Sequence, residues 1–353
     1  MKLQYRAEID GLRTIAVLSV ILYHAKFYIH DNILFKGGYL GVDVFFVISG
    51  YLITSIILNE LNIKKNFNFK NFYDRRVRRI IPALITVIIF STPFAWLYLL
   101  PEAFVEYSKS ILSSLFFISN YFFLFIGQIY GAESSLLKPF LHTWSLSIEE
   151  QFYILYPIFL YLIFKYFKKY LFPLLIIFFV VSLFLAEWLS YWRPHLNFYI
   201  LPTRIWELMS GAILAYLNIF KINMKIKKNT QNFLSFFALV TLISSIFLFT
   251  ENTKHPSILS LLPVISTCIL IMFQNKELIV NKFLSNKILV KIGLISYSLY
   301  LWHYPIFSFA RIKGLDEQEI IIKTLLIFIT FLLSFLTYEF IEKPARIKKY
   351  KMM

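Results

Sequence analysis

The sequence has 353 residues, of which 58% are hydrophobic and only 16% are charged, whereas soluble domains carry about 25% charged residues. This composition excludes an ordinary soluble protein and indicates a membrane protein. The formal net charge of +16 does not predict binding to nucleic acid, because the Lys and Arg residues lie in short stretches between apolar runs, as orientation signals do. The single cysteine, Cys268, can form no intrachain disulfide.

Apolar runs of about 17–25 residues, long enough to cross a bilayer as helices, recur along the chain. Such runs become helices because the bilayer core offers no water to the backbone. The first run has no small-residue cleavage site after it, so we interpret it as a retained span rather than a removed signal peptide. The eleven candidate segments are 9–29, 38–58, 80–100, 110–127, 146–164, 171–188, 205–218, 232–250, 257–273, 289–309 and 320–340.

The distribution of positive charge indicates how these segments cross. If segment 110–127 does not change sides, 25 of the 36 Lys and Arg residues fall on the cytoplasmic side and 9 on the opposite side. If it crosses, the totals become 15 and 19, against the positive-inside rule. The sequence therefore predicts an all-α, polytopic helix bundle of about ten transmembrane helices with both termini cytoplasmic. Segment 101–128 is then a hydrophobic excursion or hairpin on the outer face, and residues 1–353 form one membrane domain.

Arg13 and His24 lie within the first apolar segment. Their separation of 11 residues, at about 100° per residue, places both on one helix face, roughly 16 Å apart along the axis. Ionisable residues inside a membrane are costly, so each is a functional candidate by default. The alternative is a structural pair between helices. With the N-terminus inside, Arg13 lies in the inner half of the span and His24 in the outer half.

Asp43 lies near the outer end of the second segment, at a depth similar to that of His24. The short loop 30–37 makes the first two spans antiparallel neighbours. Asp43 could therefore accept a hydrogen bond from one imidazole nitrogen of His24, which leaves the other nitrogen as a general base. A satisfied His–Asp pair inside a bundle explains the same residues, and both interpretations stay open here.

Four arginines, Arg75, Arg76, Arg78 and Arg79, precede the third segment in "FYDRRVRRIIPAL". A spacing of three aligns them in pairs on helix faces, and arginine forks suit phosphate groups. Juxtamembrane arginines also set topology or bind anionic lipids, which is the simpler explanation.

Polar residues also precede and open the segment in "LHTWSLSIEEQFY". Ser147 and Glu150 fit a capping box, S-x-x-E, which explains Glu150 without catalysis. His142 and Glu149 are not explained in this way and are expected to face the outer side.

Later in the chain, Arg204 and Glu207 are three residues apart and are expected to pair. His303 lies near the outer end of its span, in "SYSLYLWHYPIF", whereas Glu342 and Arg346 lie near the last cytoplasmic exit. None of these residues defines a site by itself.

Together these stretches resemble acyltransferase family 3, whose members are membrane proteins that O-acylate bacterial surface sugars. Members carry Arg or Lys, ten residues and then His in the first span, and Arg13 and His24 match this motif. The resemblance covers nearly the whole chain, through the motifs "YRAEIDGLRTIAVLSVILYH", "GGYLGVDVFFVISGYLIT", "FYDRRVRRIIPAL", "LHTWSLSIEEQFYILYP", "LPTRIWELMSGAILA", "ISYSLYLWHYPIF" and "EKPAR".

The resemblance implies a multi-pass enzyme of the bacterial inner membrane. Its donor would be cytoplasmic acyl-CoA, usually acetyl-CoA, and its acceptor a hydroxyl of a lipid-linked or surface glycan, such as lipopolysaccharide O-antigen or capsule, at the periplasmic face. It implies that His24 is the essential catalytic residue and that Arg76 and Arg79 contact the CoA phosphates. Tyr130, in "QIYGAE", corresponds to a family tyrosine of functional importance.

Many relatives with these motif spellings continue into a periplasmic SGNH-hydrolase-like domain, whereas this sequence ends at Met353. We therefore expect a stand-alone form, in which transfer is direct or passes through a separate periplasmic partner protein. No metal is expected, because the histidines are scattered along the sequence. A transporter or flippase of a lipid-linked glycan is the main alternative, since it would also hold polar residues inside a helix bundle; a binding or sensor protein is the weaker one.

Overall fold

The structure, a computed structural model, describes residues 5–29, 32–128, 134–220, 226–315 and 320–347. These residues are almost entirely helical, apart from a short antiparallel ladder between β1 (Tyr28–Ile29) and β2 (Asn32–Ile33). The helices are α1 (Ala7–Ala25), α2 (Gly41–Lys64), α3 (Phe69–Tyr98), α4 (Pro101–Leu115), α5 (Ser119–Ile126), α6 (Thr143–Tyr166), α7 (Leu171–Trp192), α8 (Pro194–Tyr199), α9 (Ile205–Ile219), α10 (Lys228–Leu248), α11 (Leu261–Met272), α12 (Ile279–Leu284), α13 (Lys287–Leu294), α14 (Ser296–Ile312), α15 (Ile320–Thr337) and α16 (Lys343–Arg346), with a π-helical segment at Tyr338–Glu342.

Many of these helices are apolar enough to cross a membrane. Within the described ranges, 6 helical segments have the length and composition of a span. They are Gly38–Lys64, Phe69–Tyr98, Thr143–Tyr166, Lys168–Trp192, Lys228–Leu248 and Ile320–Arg346, and the shorter apolar helices are Ile205–Ile219 and Ile258–Met272. Large apolar side chains such as Phe184 and Ile321 lie fully outside the packed interior, which is the arrangement of a polytopic membrane bundle.

The chain folds into two compact units. Unit 1 comprises Met1–Val20, Phe35–Phe67 and Ile148–Leu294, and unit 2 comprises Ile21–Leu34, Asn68–Ser147 and Ile295–Met353. Because the first unit boundary falls within α1, Arg13 belongs to unit 1 and His24 to unit 2.

In unit 1, helices α2 and α9 cross at very close range. Gly50 faces the backbone of Leu208, and Gly211 faces the backbone of Val47, and a Cβ at either glycine would overlap the facing carbonyl oxygen. Small residues let helix backbones approach in this way in membrane proteins. Trp206, which is fully buried, belongs to the apolar core around this crossing.

In unit 2, small hydroxyl residues join neighbouring elements. Ser119, at the start of α5, exchanges a 2.7 Å hydrogen bond with Ser147, and Ser114 exchanges one of 2.7 Å with Thr143. Short hydroxyl side chains satisfy each other where water is excluded, so they hold α4 and α5 against the start of α6.

Segment 110–127 is divided between α4 and α5, because the chain breaks at Phe117, whose φ is 55°, so it is not one continuous helix. Two local expectations were wrong. Segment 289–309 is divided between α13 and α14. Ser147 and Glu150 form no capping box, since α6 begins at Thr143 and both residues lie inside the helix; Ser147 contacts Ser119 instead.

Candidate functional site

Three histidines of unit 2 converge from separate parts of the sequence. His24 lies in the last turn of α1, His142 immediately before α6, and His303 in α14. The ring centroids are 5.2 Å apart for His24 and His303 and 5.4 Å apart for His142 and His303. Tyr304 lies between them, 4.9 Å from His24 and 5.4 Å from His142. We call these four residues the histidine cluster.

Hydrogen bonds to the backbone hold the cluster in place. His303 Nδ1 lies 2.6 Å from the carbonyl oxygen of Tyr300, so Nδ1 carries the proton and Nε2 carries the lone pair. The hydroxyl of Tyr300 donates to the carbonyl of His142 at 2.8 Å, and that of Tyr304 donates to the carbonyl of Ser135 at 2.9 Å. The tautomer of His303 is therefore fixed by the fold.

Burial keeps His142 uncharged. His142 is only 2% exposed, and this burial lowers its pKa well below the ordinary value, because a charged imidazole loses its water. Repulsion from His303 and His24 lowers the pKa of His142 further. The cluster therefore contains a neutral imidazole at neutral pH.

Two cations hold the end of α1 that carries His24. Arg311 donates to the carbonyl oxygen of His24, and Lys323 donates to that of Lys26. The last carbonyls of a helix have no partner within it, and positive charge there is favourable to the helix dipole. Arg311 and Lys323 thus fix the backbone from which His24 projects.

The four arginines lie in the first turns of α3, also in unit 2. Arg78 pairs with Asp74 at 2.8 Å, and the guanidinium of Arg76 lies over the ring of Phe72. Arg75 is exposed and Arg79 is partly exposed. The four arginines therefore lie on one helix, and three of them are partly buried.

A second polar cluster lies in unit 1 and is centred on Arg204, which is fully buried. Its Nη1 lies 2.9 Å from Glu207 Oε1, 2.9 Å from His255 Nε2 and 3.3 Å from Asp43 Oδ1. Burial and the charge of Arg204 lower the pKa of His255 well below the ordinary value. His255 is therefore neutral, accepting from Arg204 through Nε2 and donating from Nδ1 to Ser260 Oγ at 2.9 Å.

The chain matches the family described as Acyltransferase domain, that is acyltransferase family 3, over residues 6–339. It belongs to acyltransferase family 3. Its similar curated relatives include the Peptidoglycan O-acetyltransferase OatA of Listeria monocytogenes, 32% identical over 362 residues, with 97% of this chain and 56% of the relative covered. The O-acetyltransferase OatA of Staphylococcus aureus is 30% identical over 358 residues, covering 99% and 58%. The chain thus spans little more than half the length of these relatives. No solved structure matches it.

In this member of acyltransferase family 3, the structure brings together some of the residues singled out from the sequence. It groups His24 with His142 and His303, and it places Arg75, Arg76, Arg78 and Arg79 on one helix. The expected pairing of Arg204 with Glu207 is confirmed. Tyr130 lies outside the described residues.

Other residues have different partners from those expected. Asp43 contacts Arg204 and His255 rather than His24, at 3.3 Å and 3.4 Å, so the predicted His24–Asp43 pair is wrong. Glu149 accepts from Tyr153 at 2.7 Å and from Ser49. Arg13 donates to Asp10 at 2.8 Å, one turn earlier on α1. These are contacts within unit 1.

Tyr300, Tyr304 and Arg311 were missed from the sequence. Tyr300 and His303 are three residues apart, so they share a helix face, and this spacing was the available signal. Arg311 gave no signal, because its partner is a backbone carbonyl. Among the described residues, no group of three or more His, Cys, Asp or Glu side chains is arranged to hold a metal.

Proposed function

We propose that this protein transfers an acetyl group from cytoplasmic acetyl-CoA, or another acyl group from its acyl-CoA, to a hydroxyl of a cell-envelope glycan. The transfer takes place at the outer face of the cytoplasmic membrane. The position of α14 supports this best. Near its start, Tyr297 donates to the carbonyl of Ile80, next to Arg79, at 3.0 Å. Six residues later, about 9 Å along the axis, His303 contacts His24. One helix thus connects a phosphate-binding candidate with a general-base candidate inside unit 2.

The proposed topology has ten crossings of the cytoplasmic membrane, with both termini inside. The division of segment 110–127 supports an outer-face excursion, since the chain breaks at Phe117 and α5, with 8 residues, is far shorter than the length of about 20 residues that a span needs. This orientation places the arginines of α3 at the cytoplasmic face and His24 in the outer half.

In the proposed reaction, His24 is the general base. It takes the proton of the acceptor hydroxyl while the hydroxyl oxygen attacks the carbonyl carbon of the thioester. The carbon–sulfur bond then breaks, and the CoA sulfur leaves with the proton held by His24. Neutral His142 and the fixed tautomer of His303 add no imidazolium charge next to His24, and the proton that His24 takes up passes on to the CoA sulfur.

Electrostatic attraction to arginine side chains would hold the acyl-CoA donor. Arg75, Arg76, Arg78 and Arg79 would bind the phosphates of CoA, because guanidinium forks pair with phosphate oxygens. Asp43, whose carboxylate belongs to the Arg204 cluster, would support the fold of unit 1.

Peptidoglycan is the acceptor that the relatives favour, because the Listeria monocytogenes protein is a Peptidoglycan O-acetyltransferase. Lipopolysaccharide or capsule would offer the same hydroxyl chemistry. Transfer to the glycan would be direct or would pass through a separate extracytoplasmic partner protein.

The test uses protein reconstituted in a bilayer, with labelled acetyl-CoA supplied at its cytoplasmic face and a glycan acceptor at the opposite face. It measures the release of CoA and the appearance of O-acetyl groups on the glycan. We expect His24→Gln to lower the rate about 10²- to 10⁴-fold, the usual contribution of a general base. His195→Gln is the matched control, since His195 is only partly buried and contacts the ring of Tyr199 in unit 1.

Unchanged acetylation by a well-inserted His24→Gln variant would overturn the role of His24. Movement of unmodified glycan across the bilayer without acetylation would instead favour the flippase.

A further inference from the structure

The C-terminal end of unit 2 carries an arginine that the proposed function has not used. Helix α15 passes into the π-helical segment Tyr338–Glu342, and α16 (Lys343–Arg346) follows. Such π-helical turns are rare and are frequent at functional sites. Because α16 packs against α3, Arg346 approaches the helix that carries the four arginines.

Contacts with α14 fix where Arg346 lies. Glu342 is fully buried, accepts a 2.7 Å hydrogen bond from Ser298 and pairs with Arg346. Ser298 follows Tyr297, whose hydroxyl is bonded to Ile80 of α3, the residue after Arg79. Arg346 and Arg79 therefore meet at the same turn of α14, and they repel each other electrostatically.

The charges at this point do not balance. Glu342 pairs with Arg346, whereas Arg79, whose charge also acts on Arg346, makes no ion pair with an acid in the described part of the chain. The side chain of Arg346 is 32% exposed, so it can reach a ligand while it holds Glu342. Cations that converge in spite of their repulsion fit an anion with several oxygens, and a phosphate group has this chemistry.

We propose that Arg346, together with Arg79, binds a phosphate of the acyl-CoA donor. This inference rests on the proposed function and adds a residue to it from the opposite end of the chain. The headgroup of an anionic lipid offers the same phosphate chemistry, and the experiment separates the two sources.

The experiment measures binding of CoA to the purified full chain in nanodiscs of phosphatidylcholine, and then KM for acetyl-CoA and for S-acetyl-pantetheine, which lacks the nucleotide phosphates. We expect Arg346→Gln to weaken CoA binding and to raise KM for acetyl-CoA about tenfold, the loss of one charge-assisted hydrogen bond. KM for S-acetyl-pantetheine and kcat should stay unchanged.

Lys343→Gln is the matched control, since Lys343 lies on the same helix but pairs with Glu339 at 2.7 Å on the surface. It should change KM less than twofold. If Arg346→Gln does not fold, Arg346→Lys, which keeps a charge beside Glu342, should still weaken CoA binding about threefold through loss of the planar fork.

Each alternative gives a different result. Equal CoA binding by Arg346→Gln and wild type would overturn the inference alone, as would an equal rise of KM for both donors. An effect that appears only when phosphatidylglycerol is added would assign the phosphate to a lipid and overturn the donor assignment. Wild type that binds CoA without transferring acetyl would refute the proposed function but not the binding role of Arg346, whereas wild type that does not bind CoA would refute both.

Discussion

Replacing Arg204 by methionine should destabilise unit 1 strongly. Arg204 Nη1 is within 3.3 Å of both Asp43 and Glu207, and all three side chains are fully buried. Methionine fills a similar length but leaves two carboxylates in the interior without their counter-charge. Removing one partner of a buried ion pair costs about 3–5 kcal/mol.

This cost can be read as a change in melting temperature. At roughly 2 °C per kcal/mol for a large domain, we expect Arg204→Met to melt about 6–10 °C below wild type in a thermal assay that follows the monodisperse protein by size-exclusion chromatography. Arg193→Met is the matched control, because Arg193 is exposed and surface changes cost about 0.5 kcal/mol or less.

A second variant tests whether the unpaired carboxylates of Asp43 and Glu207 cause the loss of stability. The combination of Arg204→Met with Asp43→Asn and Glu207→Gln removes the unpaired charges, so it should recover much of the lost stability. An Arg204→Met variant that melts within 2 °C of wild type would show that the cluster carries no such energy and would refute the reasoning.

Three further predictions concern Asp43, His142 and Gly50. Asp43→Asn should lower thermal stability while leaving acetyl transfer per folded molecule within about twofold of wild type, because Asp43 contacts Arg204; a loss of about 10²-fold or more would restore a catalytic role. The free energy of unfolding should fall as the pH drops below about 6.5. At that pH a histidine of the unfolded chain gains a proton, whereas folded His142, with its lowered pKa, does not. His142→Gln should reduce this fall, and an unchanged pH profile in the variant would contradict the assignment. Gly50→Ala should cost about 1–3 kcal/mol through overlap with Leu208. This is more than Gly314→Ala should cost, because no described residue lies within 4 Å of the added Cβ there and the cost comes from a φ of 66°; equal melting temperatures would show that the α2–α9 crossing can relax.

Local patterns in the sequence were sufficient for some features. The apolar runs predicted an all-helical membrane protein because a chain without water must pair its own backbone. The three-residue spacing of Arg204 and Glu207 predicted their pairing, since such neighbours share a helix face. The identity and order of the motifs were enough to indicate acyltransferase family 3.

Tertiary structure decided the partners. Asp43 and His24 were expected to pair from similar depth alone, but several polar residues share one depth, and Arg204 supplies the full positive charge that Asp43 contacts. Ser147 looked like a cap because S-x-x-E is a local signal, yet α6 starts earlier, at Thr143, and the Ser147 hydroxyl contacts Ser119 of another helix. His24, His142 and His303 are far apart in the sequence, and no periodicity connects them. Only the packing of α14 against the end of α1 brings them together, because a contact between distant segments depends on which helices pack, and that information is spread over the whole chain.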